Sequence, residues 1–327
     1  PSYQRVVKKN PNEPDRYIPK DGMSDYVYAQ NMLFPRMYDA AHAADYKRWV
    51  NITGYDVPYD AGGQTQTVNM PTEWENIQFF FSYQLNFMYW RYFMWNFVGR
   101  QNDIQGTGEI EHGNWITGFN FIDKHLVGDS THLPDELRAN KGHNVYYGLP
   151  LILGILGLFF QAYRGKKGIQ GFWEVFFLFF MTGIAIIIYL NQTPGQPRER
   201  DYSYAGSFYA FAIWIGMGVA MVYKLIHERL KMQEMPAAIL ATVLCLLVPI
   251  QMLSQTWKGH DRSGRYVCRD FGQNYLNSCQ AKGNPIIFTN GDNDTFPLWY
   301  NQETEGVGDN IRVCNLSYLQ TDWYIDQ

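Results

Sequence analysis

Four stretches of this chain are almost free of polar side chains over the length needed to cross a bilayer. They are Val145–Tyr163 (VYYGLPLILGILGLFFQAY), Phe172–Leu190, Tyr204–Tyr223 and Pro236–Leu253. At ~1.5 Å per residue each reaches roughly 27–30 Å, the thickness of a hydrocarbon core. Glu174 is the only charge among them, and it stands at a helix start. Tyr and Trp gather at their ends, as interfacial belts do. The pattern predicts a transmembrane bundle over residues 144–254. In its third helix Ala212, Gly216 and Ala220 recur every fourth residue, which predicts a face for close helix packing.

Upstream, residues 1–70 read as polar and loop-rich, with a helix around Met37–Val50. Then PTEWENIQFFFSYQLNFMYWRYFMWNFVGRQND begins, with Thr72 and Glu75 at capping-box spacing. Projected at 100° per residue, Glu75, Gln78, Ser82, Asn86, Asn96 and Arg100 share one stripe and aromatic residues cover the rest. Residues 73–99 are expected to form an amphipathic helix at the membrane interface. The rival is a fifth span, which would put Arg91 in mid-membrane.

Downstream of Leu253 the pattern turns polar again. Asp270–Gln280 predicts a helix, Pro285–Thr289 a buried strand, TFPLWYNQETEG a helix with Pro in its first turn, and Ile311–Ser317 a second strand. Strand, helix and strand of these lengths predict a parallel pair. Asp292 and Asp294 fall in a turn after the first strand, where open α/β sheets place ligands; they are candidates for a divalent cation or for a simple capping turn. The predicted fold class is an α-helical polytopic membrane protein with four transmembrane helices and an aromatic amphipathic helix, followed by the start of an α/β soluble domain. The domains are 1–143, 144–254 and 255–327.

The chain has 327 residues, 46% hydrophobic and 17% aromatic, with a formal charge of -4. That balance excludes the basic excess of a nucleic-acid binder. The basic connections RGKKGIQ and KLIHERLKMQE lie on one side of the bundle, so the positive-inside rule makes that side cytoplasmic and both flanking segments extracytoplasmic. Lys141, Lys258, Arg262 and Arg265 oppose this from long segments, where the rule is weaker. Cys245 falls in an apolar run, Cys268 and Cys279 are a candidate disulfide, and no CxxC or His/Cys spacing suggests zinc. The chain opens on Pro with no signal peptide, as expected of a piece of a longer protein.

The connection NQTPGQPRERDYSY packs Arg198, Glu199, Arg200 and Asp201 between two apolar helices. Arg and Glu at helix ends often only anchor a bundle. The strings WRYFMWNFVGRQNDIQG, PGQPRERDYSYAGSFYAFAIWIG, HDRSGRYVCRDFGQNYL and TNGDNDTFPLWYNQETEG, however, resemble a family of Bacteroidota inner-membrane proteins related to protein O-mannosyltransferases and the wider GT-C glycosyltransferases. The resemblance implies a multi-pass enzyme of the inner membrane that takes a sugar from a polyprenyl-phosphate donor and transfers it, on the periplasmic face, to Ser or Thr of envelope proteins. It also implies that the catalytic acid lies in a first outer loop, outside this chain.

Such chemistry needs cations on the donor phosphate, and Arg198, Arg200 and Arg100 are the candidates. Glu199, Asp201 and Asp103 could orient those guanidinium groups or hold a divalent cation. Arg91 and Arg36 read as structural partners of buried polar groups. The alternative is a non-catalytic envelope scaffold of a secretion, motility or glycan-handling complex. A transporter is disfavoured, because the four helices lack mid-membrane charges and breaks.

Overall fold

The computed structural model describes residues 3–5, 14–19, 31–60, 65–129, 133–280 and 282–326. The chain divides into two compact units, Pro1–Gly259 and His260–Gln327.

The first unit opens with two antiparallel pairs, β1 (Tyr3–Arg5) with β2 (Tyr17–Pro19), and β3 (Tyr55–Asp60) with β4 (Thr65–Met70). Between the pairs a 3₁₀ turn, Ala40–His42, runs into α1 (Ala43–Trp49), shorter than the helix expected over 37–50. Next comes α2, residues 73–97, and the capping box forms as the sequence predicts. Glu75 N–H donates to Thr72 Oγ1 at 3.3 Å, and Thr72 N–H to Glu75 Oε2 at 2.7 Å.

Only the ends of α2 are α-helical: Glu73–Phe79 and Arg91–Phe97 flank an eleven-residue π-helix, Phe80–Trp90. Bonding of i to i+5 widens each turn, so a projection at 100° drifts along this helix. Gln78, Asn86 and Asn96 are exposed as expected, but Glu75 is buried, and Trp74, Phe81 and Trp90 share the open side.

After α2, β5 (Gly99–Arg100) precedes two short helices, α3 (Asn120–Leu126) and α4 (Asp135–Arg138), and pairs with β6 (Asn144–Val145). The bundle follows: α5 (Leu149–Ala162), α6 (Lys166–Thr182), α7 (Ile184–Leu190), α8 (Ala205–Arg229) and α9 (Glu234–His260). Among the described residues, three helices are long and apolar enough to cross a membrane: Lys166–Leu190, Asp201–Arg229 and Glu234–His260. The stretch expected as a first span contains a helix of only 14 residues, α5, roughly 21 Å long at 1.5 Å per residue. Ile239, Val243, Leu247, Ile250 and Leu253 form an open apolar face on α9, the surface a lipid-facing helix presents.

The α5–α8 contact is set by glycine. A Cβ on Gly157 would sit 1.8 Å from the carbonyl oxygen of Trp214, and one on Gly218 would sit 2.1 Å from that of Leu153. Apolar side chains gain nothing by leaving lipid for one another, so this near-backbone contact and the buried bond from Trp214 Nε1 to Gln161 Oε1 (2.8 Å) hold the pair. The small-residue face expected at Ala212, Gly216 and Ala220 is not the packed one. Ala212 and Gly216 are exposed, and a Cβ on Gly216 would meet nothing within 4 Å. The close contact lies half a turn away, because Gly154 and Gly157 of the partner helix face Phe211, Trp214 and Gly218.

α2 lies across one end of this bundle. Its first half packs on Ile187 and bonds to residues 191–193, and its second half packs on Tyr204, Phe208 and Phe211. The strand that follows it pairs with β6, which leads into α5, so both ends of α2 lie at the same end of the bundle. Tyr89 Oη–Ser207 Oγ, 3.1 Å, ties it down, and glycine at 183 leaves room for both groups.

The second unit contains α10 (Val267–Asn277), β7 (Ile286–Thr289), α11 (Asp292–Glu305), β8 (Arg312–Asn315) and α12 (Asp322–Ile325). β7 and β8 pair in parallel, Ile286 opposite Arg312, as the strand–helix–strand pattern predicts. Leu276, Leu298, Ile311 and Val313 form its core. Two expectations are corrected. α11 starts at Asp292, three residues early, so Asp292 and Asp294 occupy its first turn rather than a loop, and Pro297 falls inside the helix. Carboxylates there complement the helix dipole. Cys268 lies in α10 and Cys279 just beyond its end, roughly 16 Å apart at 1.5 Å per residue, too far for a disulfide.

Candidate functional site

The loop from α7 to α8 is fastened before it reaches its charges. Asn191 takes the left-handed conformation (φ 43°) that ends α7, accepts from Gln84 Nε2 at 2.9 Å, and donates to the Pro35 carbonyl at 3.0 Å. Tyr83 Oη donates to the Thr193 carbonyl at 3.3 Å, and Gln105 Nε2 to that of Gln196 at 2.9 Å. Gly195 has φ +74°, a conformation glycine adopts without steric cost. Beyond Pro197, Glu199 is aimed one way and Arg198 and Arg200 another.

Glu199 turns inward to Arg91 of α2. Arg91 Nη2 donates to Oε2 at 2.9 Å and Nη1 to Oε1 at 3.4 Å, a two-pronged pair. Arg91 is only 3% exposed, and it also donates from Nη1 to Gly113 O and from Nε to Phe87 O, both at 2.9 Å. Its guanidinium stands 3.8 Å from the Phe87 ring centroid and 4.7 Å from those of Tyr92 and Trp95. Burial pushes the Glu199 carboxyl above its ordinary range, and Arg91 offsets part of that rise. Glu199 was expected to orient Arg198 and Arg200 or to bind a metal. The structure commits both its oxygens to Arg91 instead, so the charge anchors the loop to α2. Arg91 is the structural partner the sequence suggested. Arg36 plays a similar part, donating from Nη1 to Ile188 O at 2.9 Å.

Arg198 and Arg200 line a cleft with Asp45, Arg48 and Trp49 of α1, Tyr83, Phe87 and Tyr92 of α2, and Gly106 and Thr107. Its volume is about 60 Å³. Arg200 is positioned by bonds from Nη1 to Tyr202 Oη (3.0 Å) and from Nη2 to Gln196 Oε1 (3.2 Å), while its Nε is buried without a partner. Arg198 is exposed and leans over the Tyr202 ring at 5.6 Å. Arg48 touches Asp45 only at 3.8 Å and is 68% exposed, so its guanidinium is open to a ligand. The cleft therefore offers three guanidinium groups over an aromatic floor, an arrangement suited to an anion carried on an apolar chain.

The remaining candidates lie elsewhere. Arg100 is half-buried with its guanidinium 4.0 Å from the Trp95 ring centroid, and neither residue lines the cleft. Burial lowers its pKa, and Asp103 and Asp201 act against that. Asp103 accepts from Asn140 Nδ2 at 2.7 Å, and Asp201 opens the 3₁₀ turn Asp201–Tyr204. Asp292 and Asp294 belong to the second unit. Among the described residues no group of three or more His, Cys, Asp and Glu could hold a metal ion.

Sequence reasoning missed α1 as a wall of the site. Its signal was present in His42, Asp45 and Arg48 at three-residue spacing, one polar face of a short helix, with Trp49 beside it. What hid it was distance along the chain: about 150 residues separate this face from the loop it meets.

With this geometry in view, the family comparisons cover the two ends of the chain. The model described as TMEM260-associated domain 2 matches residues 268–327, nearly all of the second unit, and a family of unknown function (DUF8416) matches residues 1–81. No curated protein and no solved structure matches the chain. These findings describe a largely helical chain with, among the described residues, three helices long and apolar enough to cross a membrane, whose residues 268–327 are similar to TMEM260-associated domain 2.

Proposed function

We propose that the chain is the donor-binding part of a membrane glycosyltransferase, moving a sugar from a polyprenyl-phosphate donor to Ser or Thr of envelope proteins on the outer face of a bacterial inner membrane. In this reading α5 completes a four-helix bundle, the cleft faces the periplasm, and the second unit is an α/β domain. The observation that carries it is the convergence of Arg48, Arg198 and Arg200 over aromatic rings at the end of an apolar bundle. A phosphate at that level would keep its charge against guanidinium groups while its isoprenoid tail ran along the bundle. The resemblance of the loop to a membrane-protein family related to protein O-mannosyltransferases supports the same chemistry.

A second reading, an envelope scaffold without catalysis, draws support from Trp74, Phe81 and Trp90, which are 63%, 57% and 42% exposed on the open side of α2. Both readings are tested by comparing glycosylation of periplasmic and outer-membrane proteins in wild type, a deletion strain, and Arg198→Ala/Arg200→Ala at equal expression. The transferase reading expects the same glycans to be lost in the last two. Glycans intact in all three strains favour the scaffold.

A further inference from the structure

The small-residue face of α8 that the bundle leaves open has another use. Gly216 and Ala220 line a groove of about 750 Å³ together with Ile213 of the same helix, Gln161 and Arg164 at the close of α5, and Lys167 in the first turn of α6. A Cβ on Gly216 would meet nothing within 4 Å, so this wall is smooth down to its backbone. The basic residues stand at one end of the span Lys166–Leu190 and the charged loop follows the other, roughly 37 Å away at 1.5 Å per residue. The groove thus opens at the end of the bundle where the short connections are basic.

Charge and polarity are graded along it. Arg164 and Lys167 are exposed, neither is in an ion pair among the described residues, and no Asp or Glu lines the groove. The Arg164 guanidinium lies 5.3 Å from the Phe160 ring centroid, which steadies it beside the groove. About one turn deeper, Gln161 is only 6% exposed. Its Oε1 accepts from Trp214 Nε1 at 2.8 Å, while its Nε2 has no acceptor among the described residues. A buried amide N–H left unpaired is costly, so an acceptor oxygen at that depth would be favoured. We propose that the groove holds an anionic phospholipid of the adjoining leaflet. The phosphate meets Arg164 and Lys167, a glycerol ester oxygen accepts from Gln161 Nε2, and an acyl chain lies along Ala220 and Gly216 toward Ile213. A zwitterionic headgroup fits less well, because it brings its own cation to two unpaired ones. The inference requires that the bundle span a membrane and does not depend on glycosyl transfer.

The test is native mass spectrometry of the full-length protein, delipidated in detergent and titrated with phosphatidylglycerol or with phosphatidylcholine of the same acyl chains. Wild type is expected to hold a single phosphatidylglycerol about tenfold more tightly than phosphatidylcholine. Arg164→Gln/Lys167→Gln should bind the two lipids equally. Gly216→Leu, which fills the groove, should weaken both. Arg198→Ala, at the far end of the bundle, should keep the wild-type preference. Every one of these changes falls on an exposed residue, and melting of the lipid-free variants checks that the fold is kept. Equal binding of the two lipids by wild type overturns the proposal, as does a preference that survives Arg164→Gln/Lys167→Gln. A polyprenyl phosphate that displaces phosphatidylglycerol from wild type and from Arg198→Ala alike also overturns it, since the groove would then select an isoprenoid chain.

Discussion

Glu75 and Glu199 are both carboxylates held against α2, one at its start and one near its close, and their surroundings shift them in opposite directions. At Glu75 burial works against the charge. The N–H groups of Thr72, Thr53 and Gly54 and the Thr53 hydroxyl outweigh it and hold the carboxyl at about 2. At Glu199 burial prevails and the carboxyl rises, although a guanidinium stands 2.9 Å away. Fixed amide dipoles from neighbouring backbone are organised by folding itself. A lone guanidinium in an aromatic cage has to compensate two desolvations at once. The start of α2 is therefore fastened by backbone, and its close by a single ion pair on which the charged loop hangs.

Breaking that pair from one side should have the largest effect. Arg91→Ala leaves the half-buried Glu199 without its counter-ion, and about 3–5 kcal/mol of stability should be lost in a detergent unfolding titration. Arg91→Met with Glu199→Leu removes both charges and should recover most of it. A double variant as unstable as Arg91→Ala would mean that the cage, rather than the charge, was the anchor.

Next in size is the start of the helix. Glu75→Ala strands three backbone donors and should cost about 1–3 kcal/mol by the same titration. The pH dependence follows from the two shifts. Glu75 is depressed in the fold, so its contribution is present above its ordinary value near 4.5 and is lost as pH falls toward about 2. Glu199 is raised, so its contribution is greatest below its ordinary value and fades as pH climbs through the folded one. Acid unfolding between pH 4.5 and 2 should accordingly flatten in Glu75→Gln and persist in Glu199→Gln.

The sequence carried one of these two sites and not the other. Thr72 and Glu75 are three residues apart, so their capping box was legible from spacing alone. Arg91 and Glu199 are 108 residues apart, and no local pattern joins them. The apolar runs gave the bundle because membrane length is a local property of sequence, and the strand–helix–strand order gave the parallel pair of the second unit. The π-helix of α2 was not legible, since nothing in Phe80–Trp90 announces i to i+5 bonding, and Glu75, read on the polar stripe, is drawn inward by the backbone donors of Thr72, Thr53 and Gly54. The hairpin Tyr55–Met70 was read as loop, because its strands are polar and show too little alternation. The cleft was half legible: Arg198 and Arg200 were found from their place between helices, whereas Asp45 and Arg48 needed the fold to bring α1 beside them.

The smallest stability effect belongs to the exposed arginine. Arg198→Ala removes no buried partner and should move the melting temperature by less than the equivalent of about 0.5 kcal/mol. The same substitution should weaken binding of a polyprenyl phosphate by roughly tenfold, the 1.4 kcal/mol scale of one charged hydrogen bond to phosphate.

The central claim is that one loop holds with Glu199 and binds with Arg198 and Arg200. Its most direct test is the affinity of the purified protein for polyprenyl phosphate in nanodiscs, measured beside the melting temperature for wild type, Arg91→Ala and Arg198→Ala/Arg200→Ala. The account predicts that the double arginine variant melts near wild type and binds about 100-fold more weakly, while Arg91→Ala, which takes the counter-ion from Glu199, melts lower. Undiminished affinity with both arginines gone would contradict it.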